Sequence, residues 1–158
     1  MNLNQHPIDT PAIVDQAFAA GRQAQPAWTA LPYGQRSRHR QRVRDLLVER
    51  ADNLALAITR DNGKALVDAL AAEIVPAVLA IDYYCKAARR TLHPRRARGG
   101  HPLLFNKRGS LHAVPYGVVG IISPWNYPFS IPFGEVVMAL LTGNAVVLKV
   151  ASDTLGVG

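Results

Sequence analysis

Apolar positions recur at helical spacing through the first two thirds of the chain and in unbroken runs through the last third. Thr10 and Pro11 form an N-cap and N1 pair. Behind them Ile13, Val14, Ala17, Phe18, Gly21 and Ala24 keep one face small or apolar until Pro26. Leu31 to Gly34 read as a turn. A second helix is predicted from about Gln35 to Arg60 on a stripe of Val43, Leu47, Ala51, Leu54 and Ile58, ending at the turn signal Asp61-Asn62-Gly63. A third runs from about Ala65 to Thr91, with a seam of Val67, Leu70, Ala71, Ile74, Val75, Val78 and Leu79. Pro76 inside that pattern should bend the helix or split it.

The pattern then turns extended. After a basic loop from His93 to Gly100, the runs Leu103 to Asn106 and Ser110 to Val114 flank Lys107-Arg108-Gly109. That spacing predicts a hairpin with Gly109 at positive φ. Gly117 to Ile122 is a continuous apolar run, expected of a strand buried on both faces. Two prolines keep Ser123 to Pro128 out of helix and central strand. A helix from about Phe129 or Ser130 to Thr142 ends at Gly143-Asn144, and Ala145 to Val150 is a second apolar strand. Together these make a right-handed βαβ unit, so the fold class is α/β: helices followed by the opening of a parallel sheet.

Composition narrows the reading. The chain has 158 residues, 49% hydrophobic and 18% charged, which suits packed structure rather than disorder. A single cysteine excludes an internal disulfide framework and a cysteine-rich zinc module, and no metal site is expected. The start of the chain lacks the basic and apolar regions of a secretory signal, and no apolar stretch approaches the roughly 20 residues that cross a bilayer. A cytoplasmic protein without membrane partners is therefore expected.

Eighteen Lys and Arg against eleven Asp and Glu give a net charge of +7. Arginines fill every second position from Arg36 to Arg44, which places them around a helix rather than along one stripe. A second cluster comprises Lys86, Arg89, Arg90, Arg95, Arg96 and Arg98. No nucleic-acid motif or aromatic interleaving accompanies them, so they read as solvated surface and not as a nucleic-acid site.

Chemistry concentrates after Pro115. A buried strand delivers a loop at its carboxyl end, where ligands bind in open α/β sheets. That loop holds the Asn126 amide between Pro124 and Pro128, which restrict the backbone. A fixed amide NH₂ is a good donor to a developing oxyanion. From the residues alone, Asn126 as a simple turn cap stays open beside that role, as does Lys149 reaching solvent past the end of its strand.

The segment PYGVVGIISPWNYPFSIPFGEVVMALLTGNAVVLK closely resembles the N-terminal part of the NAD(P)-dependent aldehyde dehydrogenase superfamily. The matching pieces are a Pro-x-Gly-Val-Val-Gly strand, a Pro-Trp-Asn-aromatic-Pro loop, a helix ending at Gly-Asn, and a strand ending in Val-Leu-Lys. Asn62-Gly63-Lys64 and Tyr83-Tyr84 resemble the family's N-terminal helical region, so the likeness runs from about Ile13 to Thr154. It implies three segments: residues 1–99 as the N-terminal helical part, 100–115 as a hairpin like the oligomerisation arm, and 116–158 as the first βαβ of a Rossmann-like cofactor domain, incomplete.

By that resemblance Asn126 is the oxyanion-hole asparagine, polarising an aldehyde oxygen and stabilising the tetrahedral thiohemiacetal. Ile122, Ser123, Pro124 and Trp125 match the loop that meets the cofactor, and Lys149 matches the lysine that reaches the adenosine ribose. Ser152 stands where NAD-preferring members place a glutamate; a serine does not repel a 2′-phosphate, so NAD and NADP are both allowed, with a lean to NADP. Tyr127, Ile131 and Gly134 fall where the family lines its substrate tunnel, while Glu135 departs from a common lysine. The substrate implied is a small aldehyde, a semialdehyde among the candidates.

The family's nucleophilic cysteine and general-base glutamate cannot be assigned. Cys85 lies on the third helix and is read as structural. The expectation is an N-terminal portion of an aldehyde dehydrogenase, from a truncated product or a split gene, inactive alone. The alternative is a non-catalytic module that pairs with itself or with a full-length relative through residues 103–114.

Overall fold

A computed structural model describes residues 10–97, 100 and 106–158. Helices α1 (Pro11–Ala30), α2 (Tyr33–Arg36), α3 (Arg40–Glu49) and α4 (Ala51–Asn62) come first. Helix α5 (Leu66–Ala69) runs through a π turn (Leu70–Ile74) into α6 (Val75–Thr91). Strands β1 (Arg95–Ala97) and β2 (Gly109–Leu111) pair antiparallel, with Arg96 opposite Ser110. Strand β3 (Val118–Ile122), helix α7 (Ser130–Leu141) and strand β4 (Ala145–Lys149) form the βαβ unit, and a 3₁₀ turn (Ser152–Thr154) follows. Strands β3 and β4 are parallel, in a register that sets Val118 against Ala145 and Ile122 against Lys149.

Helix α1 begins as expected, with Thr10 accepting the Ile13 N–H. It does not stop at Pro26 but continues to Ala30. Proline removes one helical hydrogen bond there. Tertiary bonds on either side compensate: Gln25 Nε2 donates to the Gly143 carbonyl and Trp28 Nε1 to the Leu140 carbonyl, both at 2.9 Å. Phe18 and Gly21 of α1 lie against the sheet, where a Cβ on Gly21 would come within 3.1 Å of Val118 Cγ1. That close approach accounts for the glycine.

The second expected helix is broken at Ser37–His39 and again at Arg50, giving α2, α3 and α4. Most of its stripe holds: Leu47 and Ile58 are buried and Ala51 and Leu54 half-buried, but Val43 is exposed. The seam expected for the third helix holds in part: Ile74 is buried and Leu70 and Val78 pack against the core, whereas Val67, Ala71, Val75 and Leu79 are exposed. The inward line runs through Ala69, Glu73, Ala77, Ile81 and Cys85. Every fourth position on that line faces the core, and the π turn supplies the one-residue adjustment that keeps it there. Its main-chain N–H of Val75 reaches Leu70 O, immediately before Pro76.

Two further expectations change. Gly109 does not take positive φ; it lies inside β2, opposite Ala97, and its partner strand is Arg95–Ala97 from the supposed basic loop. Leu103–Phe105 of the expected hairpin fall outside the described residues. In β3 only Ile121 is buried, and Ile122 is 79% exposed. A sheet of two strands covers fewer neighbours than the many-stranded sheet that such apolar runs suit.

The end of α7 is closed by Gly143 at φ +90°. A Cβ there would meet Thr29 Oγ1 at 2.8 Å, so space and backbone angle both call for glycine. Asn144, 3% exposed, accepts the Gly117 N–H at 2.9 Å and joins the starts of both strands. Arg36, expected on the surface, instead donates through Nε to the Leu141 carbonyl at 3.2 Å, where a cation also suits the helix C-terminus.

Candidate functional site

Parallel strands β3 and β4 end side by side, and the carboxyl edge of such a sheet is where ligands bind in open α/β folds. The Ser123 N–H donates to the Lys149 carbonyl at 2.9 Å, extending the pairing by one step past Ile122. Ile122 and Lys149 themselves are exposed at that edge, as are Trp125 and Ser152. Ser123 is not exposed. Its hydroxyl, in a residue 5% accessible, lies 3.4 Å from the Pro128 carbonyl and 3.3 Å from that of Pro124. The side chain braces the loop, which leaves only its backbone for contact with a ligand. Pro128 is fully buried, and Pro124 is half-buried between the edge and the loop.

Asn126 sits on the exposed rim of this loop. Its Oδ1 accepts the Tyr127 N–H at 3.0 Å. A backbone N–H must face the oxygen of the amide, which sets the side chain's orientation. The NH₂ group then points away from that bond and has no acceptor among the described residues. The oxygen caps the turn, and the nitrogen remains available as a donor.

Beneath the loop lies a polar network that the sequence pattern did not single out. Glu73, on the π turn, has 0% exposure. One carboxylate oxygen pairs with Lys64 Nζ, and the other accepts the N–H groups of Phe129 at 2.9 Å and Ser130 at 3.3 Å. Those two N–H groups open α7, whose own first turn contains no acid. Glu73 thus caps a helix distant in sequence, with the charge sign that a helix N-terminus favours. Lys64 Nζ also donates to the Asn126 carbonyl at 2.9 Å and stands 4.0 Å over the Tyr127 ring. A glutamate interrupting an apolar seam, nine residues after a lysine, was the signal available in the sequence.

Of the three positions expected to line a tunnel, Ile131 and Gly134 line one groove of ≈ 440 Å³ with Tyr84, Glu135 and Met138. Gly134 is buried against the Tyr84 ring, and a Cβ there would lie 3.6 Å from Tyr84 Cε2. Tyr127 does not line this groove; its ring is held under Lys64.

Cys85 is 8% exposed and packs with Leu47, Ala77, Ile81 and Leu141 in the helical core. Burial pushes its thiol above the ordinary range, Arg40 opposes that rise, and Asp82 adds to it. Thiolate is the reactive form, so Cys85 is protected twice over. Iodoacetamide is expected to label it more slowly in the folded chain than in urea at neutral pH; equal rates would show the site to be open. With its folded pKa raised, the contribution of this thiol is present below the unfolded value and is lost as pH rises through the folded one.

Among the described residues no cluster of three His, Cys, Asp or Glu is placed to hold a metal, and no helix is long and apolar enough to cross a membrane.

Comparison with known proteins places these features in a family setting. Residues 2–158 match the Aldehyde dehydrogenase family. A 4,4'-diapolycopene aldehyde oxidase of a Methylomonas species is 36% identical over 157 residues, covering 99% of this chain and 29% of that protein. The crystal structure of an NAD-dependent benzaldehyde dehydrogenase from Corynebacterium glutamicum superposes with a TM-score of 0.81 at 34% identity, over 93% of this chain and 31% of that one. An NADP-dependent enzyme of E. coli superposes at 0.79 and 31% identity, over 89% and 28% of the two chains. The chain therefore spans under a third of the length of each of these proteins.

Proposed function

Because the chain belongs to the aldehyde dehydrogenase family, its helices and small sheets matching the N-terminal part of that fold, we propose that it forms the oxyanion and cofactor edge of an enzyme oxidising aldehydes to carboxylates. The observation that carries this reading is the Asn126 amide, its oxygen tied down by Tyr127 N–H and its NH₂ unengaged beside the sheet's carboxyl edge. A preorganised donor of this kind stabilises negative charge as it develops on an aldehyde oxygen. The family's cofactor fits the exposed groups: Ile122 and Trp125 offer an apolar surface, Lys149 a cation, and Ser152 a hydroxyl. Bound there, NAD or NADP supplies the hydride acceptor. Ile131 and Gly134 would line the approach of a small aldehyde, a semialdehyde among the candidates, and Tyr127 would border it. The reading keeps the protein in the cytoplasm.

These 158 residues by themselves are expected to be inactive, because their one cysteine is buried in the helical core and cannot accept an acyl group. Joining residues 1–158 to the remaining part of the Corynebacterium glutamicum benzaldehyde dehydrogenase should restore aldehyde-dependent formation of reduced nicotinamide cofactor. A chimera that folds and binds cofactor without turnover would overturn the proposal, as would turnover by residues 1–158 alone.

Ser152 carries the lean to NADP. The substitution Ser152→Glu should weaken NADP relative to NAD by about tenfold, through like-charge opposition to the 2′-phosphate. Cofactor titrations followed by tryptophan fluorescence measure the ratio, and an unchanged ratio would remove Ser152 from the site.

One observation favours a second reading as a pairing module. Leu111, Val114 and Tyr116 are exposed at 66%, 80% and 96% in the short stretch that leaves β2. Co-purification with a full-length relative, lost on changing these three residues to serine, would support it; retention after the change would not.

A further inference from the structure

We propose that Lys64 and Glu73 are the positioning residues of the Asn126 donor, acting as one relay from the π turn to the loop. The inference rests on the reading of Asn126 given above and adds the means by which its pose is set. Asn126 is exposed and its neighbour Trp125 is 62% exposed, so surface packing does little to hold the loop. Proline restricts the backbone on each side but anchors it only at Pro128. Ser123 braces the loop through the Pro124 and Pro128 carbonyls, and Lys64 holds the residues between them. Its ammonium donates to the Asn126 carbonyl, covers the Tyr127 ring, and thereby engages both ends of the peptide unit whose N–H orients the Asn126 side chain.

Lys64 is itself held. Its side chain is 16% exposed and pairs with a carboxylate of 0% exposure. Glu73 is in turn locked by two N–H donors from the start of α7. One carboxylate therefore fixes both where α7 begins and where Lys64 ends, and the loop between Ser123 and Phe129 spans the two. A buried pair of this kind contributes specificity of geometry more readily than net stability. The π turn is part of the device, because it lets a single acid occupy the core line without displacing Ala69 or Ala77.

Hydrogen exchange and ¹⁵N spectra of the 158-residue chain test this without turnover. The Tyr127 amide is the direct reporter, since its protection requires Asn126 Oδ1; the Asn126 side-chain resonance, identified by its loss in Asn126→Ala, is the spectroscopic signature. Lys64→Met strands the buried carboxylate and risks unfolding, so the informative variant is Lys64→Met with Glu73→Gln, which removes both charges and keeps an acceptor for Phe129 and Ser130. In it, Tyr127 exchange should quicken by about 10–100-fold and the Asn126 signal should move, with Phe129 still protected. Lys64→Arg, which keeps a charged donor, should recover much of the Tyr127 protection.

Unmoved Tyr127 and Asn126 signals in the double variant would overturn the proposal, and so would a wild-type chain whose Tyr127 and Phe129 amides exchange without protection. The two ideas fail separately. If Asn126 is not the oxyanion donor, its replacement leaves turnover in the chimera intact while these exchange signatures persist. If the relay does not position the loop, the signatures vanish whatever the turnover shows.

Discussion

Asn126→Ala is expected to lower kcat of the chimeric aldehyde-oxidising enzyme by about 100–1000-fold, the usual consequence of removing one oxyanion donor. The corresponding loss is about 2.7–4 kcal/mol of transition-state stabilisation. The effect should fall on kcat and on kcat/KM together, because the interaction strengthens only as charge builds on oxygen. Cofactor affinity should hold, since Ile122, Trp125, Lys149 and Ser152 are untouched. The isosteric Asn126→Asp serves as the sharper comparison. It preserves the acceptor for Tyr127 N–H while replacing the donor by negative charge, so it should be at least as damaging as alanine. Steady-state rates with saturating cofactor decide the matter, and a loss smaller than about tenfold for both variants would return Asn126 to the role of turn cap.

The second large effect is on stability. Glu73→Ala should cost about 3–5 kcal/mol, the range found when one partner of a buried ion pair is removed. Three losses combine: Lys64 keeps a charge inside an 84%-buried side-chain environment without its partner, the Phe129 and Ser130 N–H groups lose their acceptor, and a cavity opens at the π turn. Glu73→Gln retains the shape and an acceptor, so its cost should be nearer about 1–3 kcal/mol. Urea unfolding followed by tryptophan fluorescence separates the two through the midpoint, provided the slope stays constant. Equal midpoints for wild type and Glu73→Ala would mean that α7 is anchored elsewhere.

The sequence pattern made the βαβ unit legible because its signals are local and redundant. Apolar runs, a glycine with an asparagine after the helix, and a two-proline loop all point to the same chain path, and β3, α7 and β4 lie within a residue or two of their expected limits. The loop that carries Asn126 was legible for the same reason. The third helix was legible in its extent and in the irregularity beside Pro76, but its inward face was legible only in part. An α-helical period laid through Val67, Ala71, Val75 and Leu79 is as plausible on paper as the line through Ala69, Glu73 and Ala77. Only tertiary packing, with a π turn absorbing the mismatch, selects the second. Glu73 and the role of Lys64 escaped notice because charged residues are expected outside, and beyond their pairing with each other their partners lie 62 and 56 residues away. Gly109 was misread because a strand partner on the far side of a long connection leaves no local mark.

Helix α7 shows what external termination permits. Its composition is poor for a helix, with Pro132, Gly134, Ile131 and two adjacent valines in twelve residues. Its first N–H groups nevertheless rest on Glu73, and its last carbonyls on Trp28 and Arg36, with Gln25 holding the Gly143 carbonyl just beyond. Helicity is thereby imposed by the surroundings instead of being encoded in the segment. The residues of α7 are released from that duty, so its exposed positions can vary in size and branching to reshape the groove at Ile131 and Gly134 while the helix that carries them keeps its place.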